Sequence, residues 1–350
     1  MHALCVFLFS FCLSLPIYGF QIQFNKLRRT TVKQSFIDLT LQNAKPRRLL
    51  VFGNGNLAKA IFSELKGTLV FDQIYCTTRK RNDGENAFPD VHYIPFENAS
   101  TILPDCSHVL ITIPPVLLKD TYSDVILDNS NIMKSFGHDT VVSYVSTTGV
   151  YGNHDGGWVN ESSSTLCKSE SKASYYLSFE ERYQNCINPE NMSIFRCSGL
   201  YGNDFSALHT VMKRGGIDWL DKNNSNDDDD ITSRVHLQDA ARSILACMIG
   251  GHHGIFNLAD DKPASRKEVM QYAYDLLVSR NISILKQGDD SEINVSERMR
   301  RRVSDRKRVS NTKMRELLSD IGGLRFPTYK EGLQSILQFN LDMWKENKER

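Results

Sequence analysis

The sequence carries almost no net charge, because 42 lysines and arginines oppose 41 aspartates and glutamates among 350 residues, leaving a formal charge of +1. A balance this close to neutral gives no overall attraction to DNA, RNA or an anionic membrane surface. Apolar residues make up 41% and charged residues 24%, which are ordinary values for a globular protein and argue against global disorder. These values favour a small-molecule substrate over a DNA partner.

The eight cysteines include no C-x-x-C pair, so a zinc site or a thioredoxin-like redox motif has little support. Several of them, such as Cys76 and Cys197, lie in apolar runs, where a thiol usually packs as a small hydrophobic group. A chain of this length can hold a hydrophobic core without disulfides. We therefore expect neither a metal site nor a disulfide framework.

No hydrophobic run reaches the roughly 20 residues that a transmembrane helix needs. The apolar run Ala3–Leu15 is followed by proline and predicts a signal peptide over residues 1–19. Residues 20–44 are basic and hydroxylic, without an acid between Gln21 and Ile37, as in a transit peptide. Together they resemble the bipartite presequences of secondary plastids, so we expect a plastid protein with no membrane span after signal removal. The alternative is a secretory signal followed by a basic linker.

A glycine-rich turn follows the first buried strand pattern. The run Arg47–Phe52 is apolar after its two arginines, as in a buried parallel strand. The next six residues match G-x-G-x-x-A, and the stretch Ala58–Lys66 has helical spacing of its apolar residues. Strand, glycine turn and helix in this order predict a dinucleotide-binding site. The predicted cofactor-binding residues are Gly53, Asn54, Gly55, Asn56, Leu57 and Ala58.

Each small residue of this motif has a physical role. Gly53 allows the tight turn, Gly55 lets the backbone approach a pyrophosphate, and Ala58 lets the helix pack closely on the sheet. The first turn of the helix then presents free N–H groups and a partial positive charge to the phosphates. The motif therefore predicts a nicotinamide dinucleotide cofactor.

The second predicted strand, Leu69–Cys76, lacks the acidic tip that binds the 2′-hydroxyl of NAD. The tip Thr77–Arg81 is hydroxylic and basic instead. Arginine can bind a 2′-phosphate with two hydrogen bonds, and threonine can donate a third. We expect Thr78 and Arg79 to bind this phosphate, so NADP(H) is preferred over NAD(H). The alternative is a solvated basic loop.

Further apolar runs complete a doubly wound parallel α/β sheet of the Rossmann type. The segments Val116–Ser135 and Ser171–Cys186 are long enough for crossover helices between strands. Ile113 and Pro114 end one strand and should lie at the cofactor edge of the sheet. The predicted strands are Val91–Phe96, His108–Ile113, Thr140–Ser146 and Met192–Cys197.

The domain boundary is expected near residue 202. Residues 45–202 form the predicted NAD(P)-binding domain, and residues 203–350 form a smaller C-terminal substrate lobe interleaved with the last sheet strands. Ser265–Arg280 has helical spacing, with its first serine as the N-cap. Arginines cluster at Arg298–Arg302, which favours a solvated segment over an anion or RNA patch.

Four ordered motifs resemble the extended short-chain dehydrogenases/reductases, the NAD-dependent epimerase/dehydratase family. The resemblance runs from about Arg47 to Leu337 and is greatest to an atypical branch known mainly for binding NAD(P). It implies the Rossmann fold and the cofactor already expected, and members of the family often form homodimers through four helices. The motifs are Val145–Gly152, Arg196–Gly202, Arg234–Asp239 and Gly254–Ala259.

The resemblance implies catalytic residues. Thr147 occupies the position of the Ser/Thr that hydrogen-bonds the substrate oxygen, while a tyrosine in the family transfers the proton. A nearby lysine favours the phenolate and binds the nicotinamide ribose. His236 and Asp239 of the third motif are expected to be structural, because such pairs often satisfy one another and the backbone.

The sequence departs from the family at the catalytic tyrosine. None of its 13 tyrosines is followed by lysine four residues later, and Lys168 stands where the tyrosine should be. Lys172 is expected to keep the ribose role. Tyr175, Tyr176 or Tyr151 could supply the phenol, and the first two could equally pack as core aromatics.

Two functions follow, with a third kept open. The first is an NADP(H)-dependent oxidoreductase or epimerase acting on a small carbonyl or nucleotide-linked substrate. The second is a non-catalytic NADP(H)-binding redox sensor or scaffold, which the missing tyrosine favours. The third is an RNA-associated protein, for which no base-stacking platform is evident.

Overall fold

The computed structural model describes residues 46–79, 88–220, 231–282, 284 and 305–346. The predicted presequence, the end of the basic tip after Arg79 and the cluster Arg298–Arg302 lie outside these residues. Within them, no helix combines the length and apolar character needed to span a bilayer. The described part of the chain also holds no group of His, Cys, Asp and Glu side chains arranged for a metal.

A seven-stranded parallel sheet forms the centre of the fold and confirms the predicted class. The strands are β1 Arg48–Phe52, β2 Gln73–Thr78, β3 Val91–Pro95, β4 His108–Ile111, β5 Val141–Thr147, β6 Met192–Cys197 and β7 Gly254–Leu258. They lie in the order β7-β6-β5-β4-β1-β2-β3. The order reverses between β1 and β4, and in open α/β sheets a ligand crevice forms outside the carboxyl ends of the strands at such a reversal.

Helices cover both faces of this sheet. The longer described helices are α1 Asn56–Leu65, α2 Lys172–Cys186, α3 Ala207–Arg214, α4 Leu237–Gly250, α5 Arg266–Ser279, α6 Thr312–Leu318 and α7 Tyr329–Glu346. Short helical turns occur at Phe96–Asn98, Ala99–Ile102, Leu103–Asp105, Ser130–Lys134, Thr148–Tyr151, Pro189–Asn191 and Ser319–Ile321. Further pairs of short strands, each two or three residues long, lie outside this sheet. Gly199–Tyr201 pairs with Arg234–His236, Ile231–Thr232 with Ala264–Ser265, and Trp158–Val159 with Arg308–Val309.

The alternation of side chains along each strand separates the two faces. On one face, Leu50 and Phe52 of β1 pack into a core with Phe179 and Tyr183 of α2. On the other, α4 packs against α1 and α6 and contacts β5 and β6. Neighbouring positions in β6 show the alternation, because Ile194 joins the α2 core while Cys247 of α4 donates to Ser193.

The predicted crossover helix over Val116–Ser135 is wrong. The chain instead forms an antiparallel hairpin from Val116–Leu118 and Thr121–Ser123, then the short helix Ser130–Lys134. Hydroxylic and β-branched residues at 121–125 suit a strand, and the Asn129 side chain caps the short helix that begins at Ser130. The other predicted crossover is confirmed as α2, although it begins at Lys172.

The C-terminal region has a core of its own. Buried apolar side chains of α3, α5 and α7 pack together, including Leu208, Leu277 and Ile336. The helix predicted from Ser265 is confirmed as α5, and the Ser265 hydroxyl accepts a hydrogen bond from the Glu268 amide at 3.1 Å, which is the predicted N-cap. β7 lies within this part of the sequence but pairs with β6 in the main sheet.

Candidate active site

The glycine turn sits where β1 ends, at the reversal of strand order. Gly53 has φ +102°, a conformation that L side chains rarely adopt, and a Cβ there would lie 2.8 Å from Thr112 Oγ1. Its amide donates to Thr77 Oγ1 at 3.0 Å. Thr112 Oγ1 in turn donates to the Phe52 carbonyl at 2.9 Å. The turn is therefore fixed by the ends of the two strands that flank β1.

Gly55 faces open space at the start of α1. It is the N-cap in extended conformation, and a Cβ built there meets nothing within 4 Å. The helix has no side-chain cap and no acid in its first turn, so its N–H groups and dipole remain available to an anion. This donor-rich, open cradle fits the pyrophosphate of a dinucleotide.

The remaining motif residues anchor the helix. Leu57 and Ala58 are buried against the sheet, whereas Asn56 is exposed at the mouth of the cradle. At the end of β2, Thr77 is buried, Thr78 is partly buried and Arg79 is exposed.

The ends of β2 and β4 lie on either side of the turn. β2 pairs directly with β1, so its tip is next to Gly53. Beyond β4, the partly buried Ile113 contacts the same glycine, and Pro114 is exposed. All predicted cofactor residues thus share one edge of the sheet.

Thr147 ends β5 at this same edge. Its hydroxyl accepts a hydrogen bond from the Gly149 amide at 3.0 Å and so caps the turn Thr148–Tyr151. A Cβ on Gly149 would lie 3.3 Å from Thr147 Oγ1 and 3.4 Å from the Ala173 Cβ. The start of α2, and with it Lys172, is therefore packed against the Thr147 turn.

Lys172 is the first residue of α2, and its ammonium lies among tyrosine rings. Its Nζ is 5.7 Å from the centroid of Tyr122 and 5.9 Å from that of Tyr176. Burial raises the pKa of Tyr176 above its ordinary value. Tyr175, one residue earlier, instead packs against Tyr122, with ring centroids 5.1 Å apart. Tyr122 had no part in the predicted site, because the hairpin that carries it was expected to be a helix.

Tyr151 lies inside the core. Its side chain is fully buried, and its hydroxyl donates to Asn257 Oδ1 at 2.7 Å. Burial raises its pKa, although the nearby Arg196 acts in the opposite direction. The Arg196 guanidinium lies 4.9 Å from the ring centroid. This placement favours a structural role over the catalytic role considered from sequence.

A buried ion pair supports the Thr147 turn. Arg196 of β6 and Glu180 of α2 are 4% and 1% exposed, and Arg196 Nη2 lies 2.7 Å from Glu180 Oε2. The Ser146 hydroxyl, next to Thr147, donates to the same carboxylate. Sequence periodicity gave no sign of this pair because its members are on different elements.

Further polar atoms are buried at the ends of β6 and β7. Ser198 Oγ, Asn257 Nδ2 and Asp260 Oδ2 have no hydrogen-bond partner within the described ranges, and neither does Arg234 Nη1. Burial raises the pKa of Asp260 to about 8, with Arg234 acting against it. Since buried polar groups are normally paired, these atoms are expected to bind ordered water.

His236 and Asp239 hold the start of α4. His236 Nδ1 accepts from the Gln238 amide at 3.2 Å, and Asp239 accepts from the amides of Arg325 and Phe326 at 2.7 and 2.8 Å. Asp239 also pairs with Arg242 at 3.1 Å. These contacts support the structural role predicted for both residues.

His236 should make the protein sensitive to mild acid. Burial, together with the charge of Arg325, lowers the pKa of His236 to about 4. The folded state therefore disfavours the proton that the unfolded chain binds near pH 6.5. The contribution of His236 to the free energy of unfolding is fully present above pH 6.5 and is lost as pH falls toward 4. Between pH 7.5 and 4.5 the loss is about 2 kcal/mol. Urea unfolding at these two pH values measures this loss.

Asparagine is the matched replacement, because its side-chain oxygen can also cap α4 but does not titrate. His236→Asn should reduce the stability difference between pH 7.5 and 4.5 by about 2 kcal/mol. The buried His108, whose pKa burial and Arg47 also lower to about 4, remains in the variant and accounts for part of the residual slope. An unchanged slope would show that His236 is not buried in its neutral form.

Solved structures share this fold. A functionally unknown conserved protein from Silicibacter pomeroyi aligns with a TM-score of 0.65 at 24% identity, over 83% of this chain and 98% of that one. UDP-glucuronic acid 4-epimerase from Bacillus cereus, in complex with NAD, aligns with 0.57 at 16% identity, over 85% and 98%. The chain shares the fold of these proteins.

A third structure with this fold, the human epimerase family protein SDR39U1 with NADPH, aligns with a TM-score of 0.58 at 14% identity, over 83% of this chain and 99% of that one. No protein-family model matches the sequence, and no curated protein matches it. The alignments confirm the predicted Rossmann fold over most of the chain. Identities this low concern fold, so the chemistry must be argued from the site.

Proposed function

We propose that the protein is an NADP(H)-dependent oxidoreductase or epimerase acting on a small polar carbonyl or nucleotide-linked substrate. The observation that carries this proposal is the open cradle at Gly55, where α1 begins without a cap at the reversal of strand order. Neighbours that were solved with NAD or NADPH support it.

Each group of residues at this edge of the sheet would have a separate role in such a site. The cradle Gly53–Ala58 would hold the pyrophosphate, and Thr78 with Arg79 would hold the 2′-phosphate. The bound nicotinamide would exchange a hydride with the substrate carbon. Thr147 would hydrogen-bond the substrate oxygen through its hydroxyl, while Lys172 at the start of α2 would bind the nicotinamide ribose and place positive charge near the reacting groups.

The test is a fluorescence titration of the purified protein with NADPH and NADH. We expect NADPH to bind at least tenfold more tightly, because Arg79 and Thr78 offer donors and no acid to the ribose. Arg79→Ala should reduce NADPH affinity about tenfold and leave NADH affinity unchanged. Arg47→Ala is the matched control, since Arg47 precedes β1 at the opposite edge of the sheet.

Three outcomes distinguish the alternatives. A preference for NADH would contradict the 2′-phosphate assignment and leave the cradle in place. Binding of neither dinucleotide would contradict the proposed function. Binding without turnover of any carbonyl would favour the sensor or scaffold, the function that the missing Y-x-x-x-K tyrosine supports.

A further inference from the structure

The hairpin 116–123 replaces the expected helix directly beside the cofactor edge. Its first strand begins two residues after Pro114, and its two strands pair with each other outside the central sheet. Leu117 and Leu118 are 56% and 51% exposed. The hairpin therefore borders the edge of the sheet at which the nicotinamide end of a bound dinucleotide would lie.

Aromatic and polar contacts join this hairpin to the start of α2. The ring of Tyr122 lies 5.1 Å from that of Tyr175 at an interplanar angle of 52°. The Thr121 hydroxyl donates to the Tyr175 hydroxyl at 3.4 Å. Lys172 Nζ lies 5.7 Å from the Tyr122 centroid. A Cβ on Gly149, in the turn that Thr147 caps, would lie 3.4 Å from the Ala173 Cβ, so Lys172 begins its helix beside that turn.

The other tyrosines of this region are less suited to exchange a proton with a ligand. Tyr151 is fully buried and donates to Asn257. Tyr176 packs into the core beside Tyr144, with ring centroids 6.4 Å apart. The Tyr175 hydroxyl is engaged by Thr121. Tyr122 is partly exposed and comes from the hairpin that borders the cofactor edge.

Reduction of a carbonyl requires a proton at its oxygen as hydride reaches its carbon. We propose that Tyr122 is the catalytic phenol, an inference that rests on the proposed function. Bound NADPH would supply the hydride for the new C–H bond, the carbonyl π electrons would pass to oxygen, and the Tyr122 O–H bond would break as its proton moves there. The products are NADP⁺, an alcohol and the tyrosinate, which solvent then protonates.

The position of Lys172 suits this step. An ammonium near an aromatic ring is attracted to its electrons, and the attraction increases when the phenol loses its proton and the ring gains a full charge. The contact with Tyr175 fixes the plane of the Tyr122 ring. Lys172 thus stabilises the product of proton transfer, while Thr147 holds the substrate oxygen.

The experiment compares Tyr122→Phe with wild type in NADPH oxidation by glyceraldehyde, dihydroxyacetone and phenanthrenequinone. We expect kcat to fall about 100-fold or more, with KM and NADPH affinity within about twofold of wild type, as for loss of a general acid. Tyr274→Phe, on α5 and remote from the cradle, is the matched control.

The results separate failure of the role assigned to Tyr122 from failure of the proposed function. Turnover that persists in Tyr122→Phe but falls in Tyr175→Phe would overturn the assignment of Tyr122 alone. Absence of turnover in wild type would overturn the proposed function and this role with it.

Nitration by tetranitromethane, read by peptide mass, gives a test of position that needs no substrate. NADPH should protect Tyr122 and leave Tyr274 unprotected. Equal nitration of Tyr122 with and without NADPH would place its ring away from the cofactor and overturn the inference even where turnover is seen.

Discussion

Replacing Arg196 with methionine should lower the free energy of unfolding by about 3–5 kcal/mol. The substitution removes the cation that pairs with the buried Glu180, and among the described residues it leaves that carboxylate with only the Ser146 hydroxyl as a side-chain donor. The hydration free energy that an unpaired buried charge loses is far larger than the stabilisation that one hydrogen bond from a hydroxyl provides. Urea unfolding of wild type and variant at pH 7.5 measures the loss.

The matched control neutralises both partners. Glu180→Gln combined with Arg196→Met removes the two charges while the amide oxygen still accepts from Ser146. We expect the double variant to regain at least half of the lost stability, because replacing a buried pair with neutral groups of similar size is often nearly neutral. If the double variant were as unstable as Arg196→Met, packing on Tyr151 rather than charge would explain the loss.

Replacing Gly55 with valine should weaken NADPH binding about 100-fold, or about 2.7 kcal/mol at 25 °C. The added methyl groups would enter the open space above the first turn of α1, where the pyrophosphate is expected. The fold should be preserved, because the backbone of Gly55 is extended and any residue can adopt it. Titration with NADPH measures the affinity, and thermal unfolding checks the fold.

Gly53→Ala is the contrasting variant. Its Cβ would meet Thr112 Oγ1 at 2.8 Å in a backbone conformation that favours glycine, so stability and NADPH binding should fall together. Gly55→Ala should preserve stability and weaken binding less than valine does. Normal NADPH affinity in Gly55→Val would mean that the phosphates do not approach this backbone.

The sheet was predictable from sequence because its strands are short apolar runs separated by turns. The runs that contain β1, β4 and β6 match the observed strands to within two residues at each end. The turn at Gly53 was equally predictable, since positive φ and a close neighbouring backbone select glycine. Local patterns of this kind depend on few contacts and are visible in one sequence.

The hairpin and the buried pair were not predictable in the same way. Apolar and β-branched residues from Val116 onward are compatible with either a helix or two short strands, and the packing of Tyr122 on Tyr175 supports the hairpin. Glu180 and Arg196 meet because α2 lies across β5 and β6. Such contacts arise from tertiary packing, which overrides local propensity.

The strand order also determines how much chain must be closed before the sheet is complete. Leu49 of β1 pairs with His108 of β4, and β7 can pair only after β6 and all of α3 and α4 have been synthesised. Pairing strands that are far apart in sequence requires closing a long loop. The chain loses that entropy before stabilising contacts form, which slows folding. Until then, apolar segments such as Leu49–Phe52 remain exposed to neighbouring chains, so dilution or a chaperone should govern the yield of refolding.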